Sequence, residues 1–275
     1  IEQLSAIAAP NYGLITNVGK AHLEGFGGFE GVKKGKGELY SFLEQNGGTV
    51  FINRDNPHLM EMANKHNFKE AVYYGESGYI SGELTENNPF LSIKWSDGEA
   101  VYLVKSHLTG IYNFENLLAG IAIGKKFGLS ADEINQGIES YSPQNNRSQI
   151  IKTERNTIIG DFYNANPTSM LLAIENIAKL DADKKVLILG DMFELGDESL
   201  NEHRAVIEKA LFFSFEKAIF LGKEFSKAKL LNDKAEFFDT PVDLISASKL
   251  STFSDALILL KGSRGMKLEQ LLEYL

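Results

Sequence analysis

The second half of the chain sets the strongest constraint on its fold. Four apolar runs, Thr157 to Gly160, Lys185 to Leu189, Ala218 to Leu221 and Ala256 to Leu260, alternate with segments of helical spacing near Ser169 to Leu180, Leu200 to Phe212 and Val242 to Leu250. A further helix is predicted over Met266 to Leu275. Strands that are apolar along their whole length are covered on both faces, and alternation with helices builds a parallel, Rossmann-like α/β sheet. Three of these strands end in polar clusters: Asp161-Phe-Tyr-Asn-Ala-Asn-Pro-Thr-Ser169, Gly190-Asp-Met-Phe-Glu-Leu-Gly196 and Lys261-Gly-Ser-Arg-Gly265. In a parallel sheet these ends share one edge, where open α/β sheets hold ligands. No dinucleotide fingerprint accompanies them, which argues against a nicotinamide enzyme.

The first half is more varied. A strand over Thr49 to Ile52 runs into Asn53-Arg-Asp-Asn-Pro57 and a helix from about His58 to His66. Asp55 is placed either as the cap of that helix or as a ligand-facing group past a strand end. From Ala71 to Ser106 short alternating runs, including Ile80 to Leu84, Leu91 to Trp95 and Val101 to Lys105, predict an appended antiparallel sheet with turns such as Ser96-Asp97-Gly98. Asn113 stands where it would cap an apolar helix extending to about Phe127, and a short helix follows from Ala131 to Ile138. The proline and polar density of Tyr141 to Gln149 predicts a linker, with Arg147 as its only cation.

The length of 275 residues suits two domains. There is no apolar run long enough to span a membrane. The absence of cysteine excludes disulfides and thiolate metal sites and fits a reducing cytoplasm. A net charge of -9 argues against a nucleic-acid surface, so an anionic nucleotide has to be met by local cations, glycines or magnesium. The opening Ile1-Glu-Gln-Leu-Ser-Ala-Ile-Ala-Ala-Pro10 lacks a basic leader and reads as a helix from the interior of a protein, so a fragment is expected. No Gly-x-x-x-x-Gly-Lys-Ser/Thr phosphate loop occurs.

Ile15 to Glu38 carries the most unusual chemistry. A short apolar run ends near Val18, a glycine-rich turn contains His22 and Glu24, and an amphipathic helix follows. Phe29, Val32, Leu39, Tyr40 and Leu43 form its apolar stripe, and Lys36 falls inside it. A desolvated lysine loses its proton or finds an anion, and Lys33 on the same edge is expected to lower the pKa of Lys36 further. A neutral amine can capture carbon dioxide as a carbamate. The alternative is a lysine that snorkels outward or pairs with Glu38 or Glu44.

This segment resembles the metal-and-lysine motif of the Mur ligases, the ATP-dependent amide-forming enzymes of peptidoglycan precursor synthesis. By that resemblance His22, in a Thr-Asn-x-Gly-x-x-His pattern, binds magnesium and Lys36 is carbamylated. Gly35 stands where alanine is common in the family. Asn113 and Asn116 are similar to the asparagines of a Gly-x-His-Asn-x-x-Asn motif beside adenine, with Tyr112 in place of the histidine. Asp55 belongs to an Asn-x-Asp element near the nucleotide, and Arg147 corresponds to a linker arginine that reaches ATP phosphates; a solvated linker arginine is the ordinary alternative. Within the family, the three strand-end clusters most resemble the ligases that add D-alanyl-D-alanine to UDP-N-acetylmuramoyl-tripeptide.

The resemblance implies residues 1–146 as the later part of a central ATP-binding domain and 147–275 as a Rossmann-like ligase domain, without the uridine-nucleotide domain and the phosphate loop. It implies ATP and Mg2+ as cofactors, small-molecule substrates, a cytoplasmic monomer and no nucleic-acid partner. The tripeptide carboxylate is activated as an acyl phosphate and the dipeptide amine displaces phosphate. Asp161 is then a ribose or magnesium-water partner, while Lys261, Ser263 and Arg264 face the acyl phosphate. Asn164, Asn166, Asp191 and His203 are placed near the incoming dipeptide. From spacing alone, His203 reads as a satisfied, partly buried histidine behind a Ser199/Glu202 capping box. The 275 residues alone are expected to have little ligase activity. Two other classes stay open: a folylpolyglutamate synthetase-like ligase, and a non-catalytic binding module if the native protein starts near Ile1.

Overall fold

A computed structural model describes residues 1–144 and 146–275. Asn145, inside the predicted linker, lies outside the described residues. The backbone gathers into two compact units, Ile1–His107 with Ile111–Tyr141, and Ser142–Leu275 with Leu108–Gly110.

In the first unit the elements are α1 (Glu2–Ala8), β1 (Tyr12–Leu14), α2 (Leu23–Phe26), α3 (Phe29–Asn46), β2 (Thr49–Asn53), α4 (Pro57–Ala63), β3 (Glu70–Tyr74), β4 (Ser81–Asn87), β5 (Leu91–Ser96), β6 (Val101–Lys105), α5 (Asn113–Lys126) and α6 (Ala131–Ser140). Strands β1, β2 and β3 form a parallel sheet in that order, and every residue of β2 is buried. Strands β4, β5 and β6 make the expected antiparallel sheet. The reading of Ala71 onward as antiparallel is corrected at its start, because Ala71 to Tyr74 pair in parallel with β2.

Gly35 has a packing reason. A Cβ there would come within 2.4 Å of the Phe26 ring, and one at Gly31 within 1.7 Å of the Phe26 carbonyl oxygen. The glycines, four residues apart on one face of α3, admit the turn that carries His22 against the helix.

The second unit contains β7 (Gln149–Lys152), β8 (Thr157–Asp161), α7 (Pro167–Lys179), β9 (Lys185–Gly190), α8 (Ser199–Phe212), β10 (Lys217–Leu221), α9 (Lys223–Lys227), β11 (Ala235–Phe238), α10 (Pro241–Ser246) and β12 (Leu257–Lys261). The six-stranded sheet has the order β11-β10-β9-β12-β8-β7, parallel except for β7 against β8. Ile158, Val186, Ile188, Ile219, Leu221, Ile258 and Leu260 belong to one core layer beside it.

Two predicted features change. Gln149, expected as the last residue of the linker, is the first of β7 and pairs with Gly160. The last segment is a run of 3-10 turns over Leu268–Tyr274 instead of an α-helix. Within Leu211 to Phe215, Phe215 is core, whereas Phe212 is 79% exposed beside a cleft of about 340 Å³.

Candidate active site

In the first unit, the carboxyl ends of β1 and β2 lead into the Thr16-Asn17-Val18-Gly19 loop and the Asn53-to-Asn56 turn. Lys36, half-buried on α3, donates from Nζ to the Asn17 carbonyl at 2.7 Å, which ties that loop to the helix. Burial holds its pKa below the ordinary 10.5. Two expectations fail here. Lys33 does not depress Lys36, because Glu61 at 2.6 Å and Glu30 at 3.5 Å neutralise Lys33 and raise its own pKa. Nor does Lys36 meet Glu38 or Glu44: Glu38 accepts from the Glu2 N–H at 2.8 Å, and Glu44 from Asn67 and His66. His22 is exposed in the left-handed region at φ 56.

Asp55 is not the cap of α4. Asn56 has extended backbone and accepts from the His58 and Leu59 N–H groups, whereas both Asp55 oxygens accept from the Glu76 N–H at 3.0 Å. Asn113 is likewise inside its helix, with Tyr112 at the cap position, and its Oδ1 accepts from Asn116 Nδ2 at 3.1 Å. Near Asp55 stands Glu115, a residue that sequence reasoning passed over. The Glu115 pKa is raised, first by burial and further by the Asp55 charge, while a hydrogen bond from Asn53 opposes the shift. Its only sequence signal is a carboxylate in the first turn of an otherwise apolar helix.

In the second unit, Asp161 and Lys261 end adjacent strands in register and pair directly, Nζ to Oδ2 at 2.5 Å. Lys261 is 1% exposed and also reaches the Asn164 carbonyl at 3.4 Å. Asn164 is exposed beside this pair. Asn166 caps α7, its side chain accepting from the Ser169 N–H at 2.9 Å in a reciprocal capping box.

Asp191 and His203 are internal. Asp191 is 3% exposed and accepts from the Glu224 and Phe225 N–H groups at 3.0 and 2.9 Å, closing the turn into α9. Gly222, at φ 121, makes room, since a Cβ there would lie 2.2 Å from this carboxylate. Burial raises the Asp191 pKa. His203 is fully buried, not partly: Nε2 accepts from the Met192 N–H at 3.1 Å and Nδ1–H donates to the Ser199 carbonyl at 2.7 Å. Burial lowers its pKa and fixes the neutral ring. The predicted Ser199/Glu202 capping box does not form, because α8 is capped at Glu198 and Ser199 donates to Glu224 at 3.0 Å.

Ser263 is buried, its hydroxyl accepting from the Phe193 N–H at 3.0 Å, and it presents the exposed Arg264. Arg147 and Arg264 both lie over the ring of Tyr163, at 4.1 and 5.4 Å from its centroid. The second unit therefore brings Arg147, Asp161, Asn164, Lys261 and Arg264 to one edge. Residues 2–124 match the Mur ligase middle domain, and residues 146–264 match the Mur ligase glutamate ligase domain.

The chain belongs to the Mur ligase family. It is 31% identical over 99% of its length to the UDP-N-acetylmuramoyl-tripeptide--D-alanyl-D-alanine ligase of Bacillus subtilis, and 29% identical over 98% to that of Escherichia coli. It spans 61% of each of these Mur ligases. A crystal structure of MurF from Acinetobacter baumannii superposes with a TM-score of 0.87 at 26% identity, covering 99% of this chain and 61% of that one. MurF from Thermotoga maritima, solved in complex with ADP, shares the fold with a TM-score of 0.85 at 23% identity, covering 100% and 63%.

Among the described residues of this Mur ligase chain, no group of three or more His, Cys, Asp or Glu side chains could hold a metal ion. None of its described helices is long and apolar enough to cross a membrane. A groove of about 540 Å³ along β3, bordered by Arg54, Tyr79, Lys125 and Lys126, contains none of the predicted site residues.

Proposed function

We propose that this chain is the catalytic portion of a cytoplasmic, monomeric amide ligase that adds D-alanyl-D-alanine to UDP-N-acetylmuramoyl-tripeptide with ATP. The observation that carries the reading is identity of about 30% along essentially the whole chain with ligases of that name. The reaction begins when the tripeptide carboxylate attacks the γ-phosphorus. An O–P bond forms, the bond to the bridging oxygen breaks, and its electron pair leaves on ADP. The dipeptide amine then adds to the acyl carbon, its nitrogen gives up a proton to water or the departing phosphate, and the tetrahedral intermediate collapses with phosphate carrying away the C–O electron pair.

The residues of this chain divide that work by charge. Arg147 and Arg264 offer forked donors for phosphoryl oxygens. Lys261, paired with Asp161, places a cationic side chain at the sheet edge. Asn113 and Asn116 border the nucleotide base, with Asp55 near it, while Asn164 faces the dipeptide.

Lys36 fits a carbamate. Burial favours its neutral amine, and a carbamate keeps one N–H for the Asn17 carbonyl. His22 and that carbamate would then hold part of a magnesium shell completed by substrate oxygens and water, as is ordinary for this ion. Magnesium supplies charge that offsets repulsion between the two anions and keeps the transfer in line.

The test uses the whole natural protein with each candidate amine. D-alanyl-D-alanine is expected to stimulate ADP release and glutamate is not. K36A is expected to lower turnover about a hundredfold, with recovery on adding short carboxylates. Stimulation by glutamate instead would move the chain to a folate-polyglutamating activity.

A further inference from the structure

The Tyr163 ring gathers two cations. Among the described residues neither Arg147 nor Arg264 has a carboxylate partner, although the chain carries a net charge of -9. Each is aimed by a fixed backbone. Arg147 stands between Asn146 at φ 59 and Ser148 at φ 50, left-handed conformations that non-glycine residues keep only where their surroundings impose them. The Asn146 carbonyl accepts from both the Phe162 and Tyr163 N–H groups, at 3.0 and 3.2 Å, and so locks that bend to the loop that carries the ring. Arg264 follows Ser263, whose N–H is held by the Asp191 carbonyl at 3.1 Å.

We propose that Tyr163 is a positioning residue whose ring holds Arg147 and Arg264 together as one clamp for a multiply charged phosphoryl anion. A ring suits this task better than a carboxylate. An acid would neutralise the arginines and occupy their N–H groups, whereas a ring attracts the guanidinium face and leaves the in-plane donors open for bidentate oxygens. That the anion is the transferred phosphoryl group rests on the ligase reading; the clamp itself does not.

Calorimetric titration of the 275-residue chain with inorganic tripolyphosphate tests the clamp without requiring turnover. Y163L is expected to bind about tenfold more weakly, and Y163F to restore binding to within about twofold. R147Q and R264Q each should weaken it at least as much as Y163L. Circular dichroism checks that every variant is folded, and Tyr163 is 38% exposed, so its replacement leaves the core intact. Wild-type affinity in Y163L overturns the proposal. So does equal loss in Y163F and Y163L, which would assign the effect to the hydroxyl, and so does a wild-type chain that fails to bind the probe. If the clamp fails while D-alanyl-D-alanine still stimulates ADP release by the whole protein, the ligase reading survives alone. Binding without stimulation reverses that outcome.

Discussion

Lys36 in the first unit and Lys261 in the second both touch loops that leave the carboxyl ends of parallel strands, yet their surroundings differ in kind. Lys261 is 1% exposed and faces Asp161 at 2.5 Å, so its ammonium has a counter-charge built into the neighbouring strand. Lys36 is half-buried, meets the Asn17 carbonyl with no carboxylate beside it among the described residues, and has its pKa lowered by burial. The first arrangement fixes a positive charge; the second favours an amine able to react. Two lysines that touch strand-end loops, one from a helix and one from a strand, can therefore have opposite tasks, and the partner on the adjacent element decides which.

The largest effect that could break this contrast is at Lys261. K261M should destabilise the chain by about 3 kcal/mol, because the Asp161 carboxylate is left at a shielded sheet edge without its ion. The measurement is the urea midpoint at constant slope. The double variant K261M/D161N should recover part of that loss, since no uncompensated charge remains. A double variant as unstable as K261M would show that packing, and not charge, holds this edge.

His203 comes next, at about 2 kcal/mol for H203Q, which loses two buried hydrogen bonds and the ring against Phe225. Its pKa is depressed in the fold, so the unfolded chain takes up a proton first as the pH falls below the ordinary 6.5. Stability contributed by this ring is thus level above 6.5 and declines below it, until the folded ring protonates in turn. Asp191 acts in the opposite sense: its folded pKa is raised above 3.8, so protonation stabilises the fold as the pH falls toward that value. Unfolding midpoints of wild type and H203Q across pH 7.5 to 5 should converge as the pH drops, about pH 6.5 marking the onset.

These residues also show which parts of the molecule could be read from sequence. The run Lys185 to Leu189 announces a strand because nearly every residue of it is buried and apolar, and that information is local. The strand Ala235–Phe238 is only half-buried at the sheet edge, so it carries no comparable signal, and the five-residue helix before it, Lys223–Lys227, is too short for periodicity. Caps were displaced by one residue at Asp55 and Asn113, because the choice between neighbours depends on backbone angles such as the extended Asn56. The strand-end clusters located the edge of the second sheet, but not which side chains face outward. Asp191 turns inward because its partners, the N–H groups of Glu224 and Phe225, lie on a different loop. The aim of Arg147 depends on two left-handed neighbours, which composition does not reveal.

The smallest stability effect should come from Lys36 and sharpens the comparison most. Replacing it with methionine keeps the apolar stem and removes one hydrogen bond to a carbonyl, with no ion pair lost, so K36M should shift stability by less than about 1 kcal/mol near neutral pH. The sign of its pH dependence is fixed by the depressed pKa. Between the folded value and the ordinary 10.5, the unfolded chain holds more protons than the fold, so wild-type stability should rise with pH through that window and level off above it. K36M should lack that rise. Labelled bicarbonate adds an independent reading: a carbamate carbonyl signal that survives in K261M and is lost in K36M is expected, since burial favours the neutral amine of Lys36. A loss in K36M as large as that in K261M would mean that Lys36 is held by a counter-charge after all, and the division of labour between the two lysines would collapse.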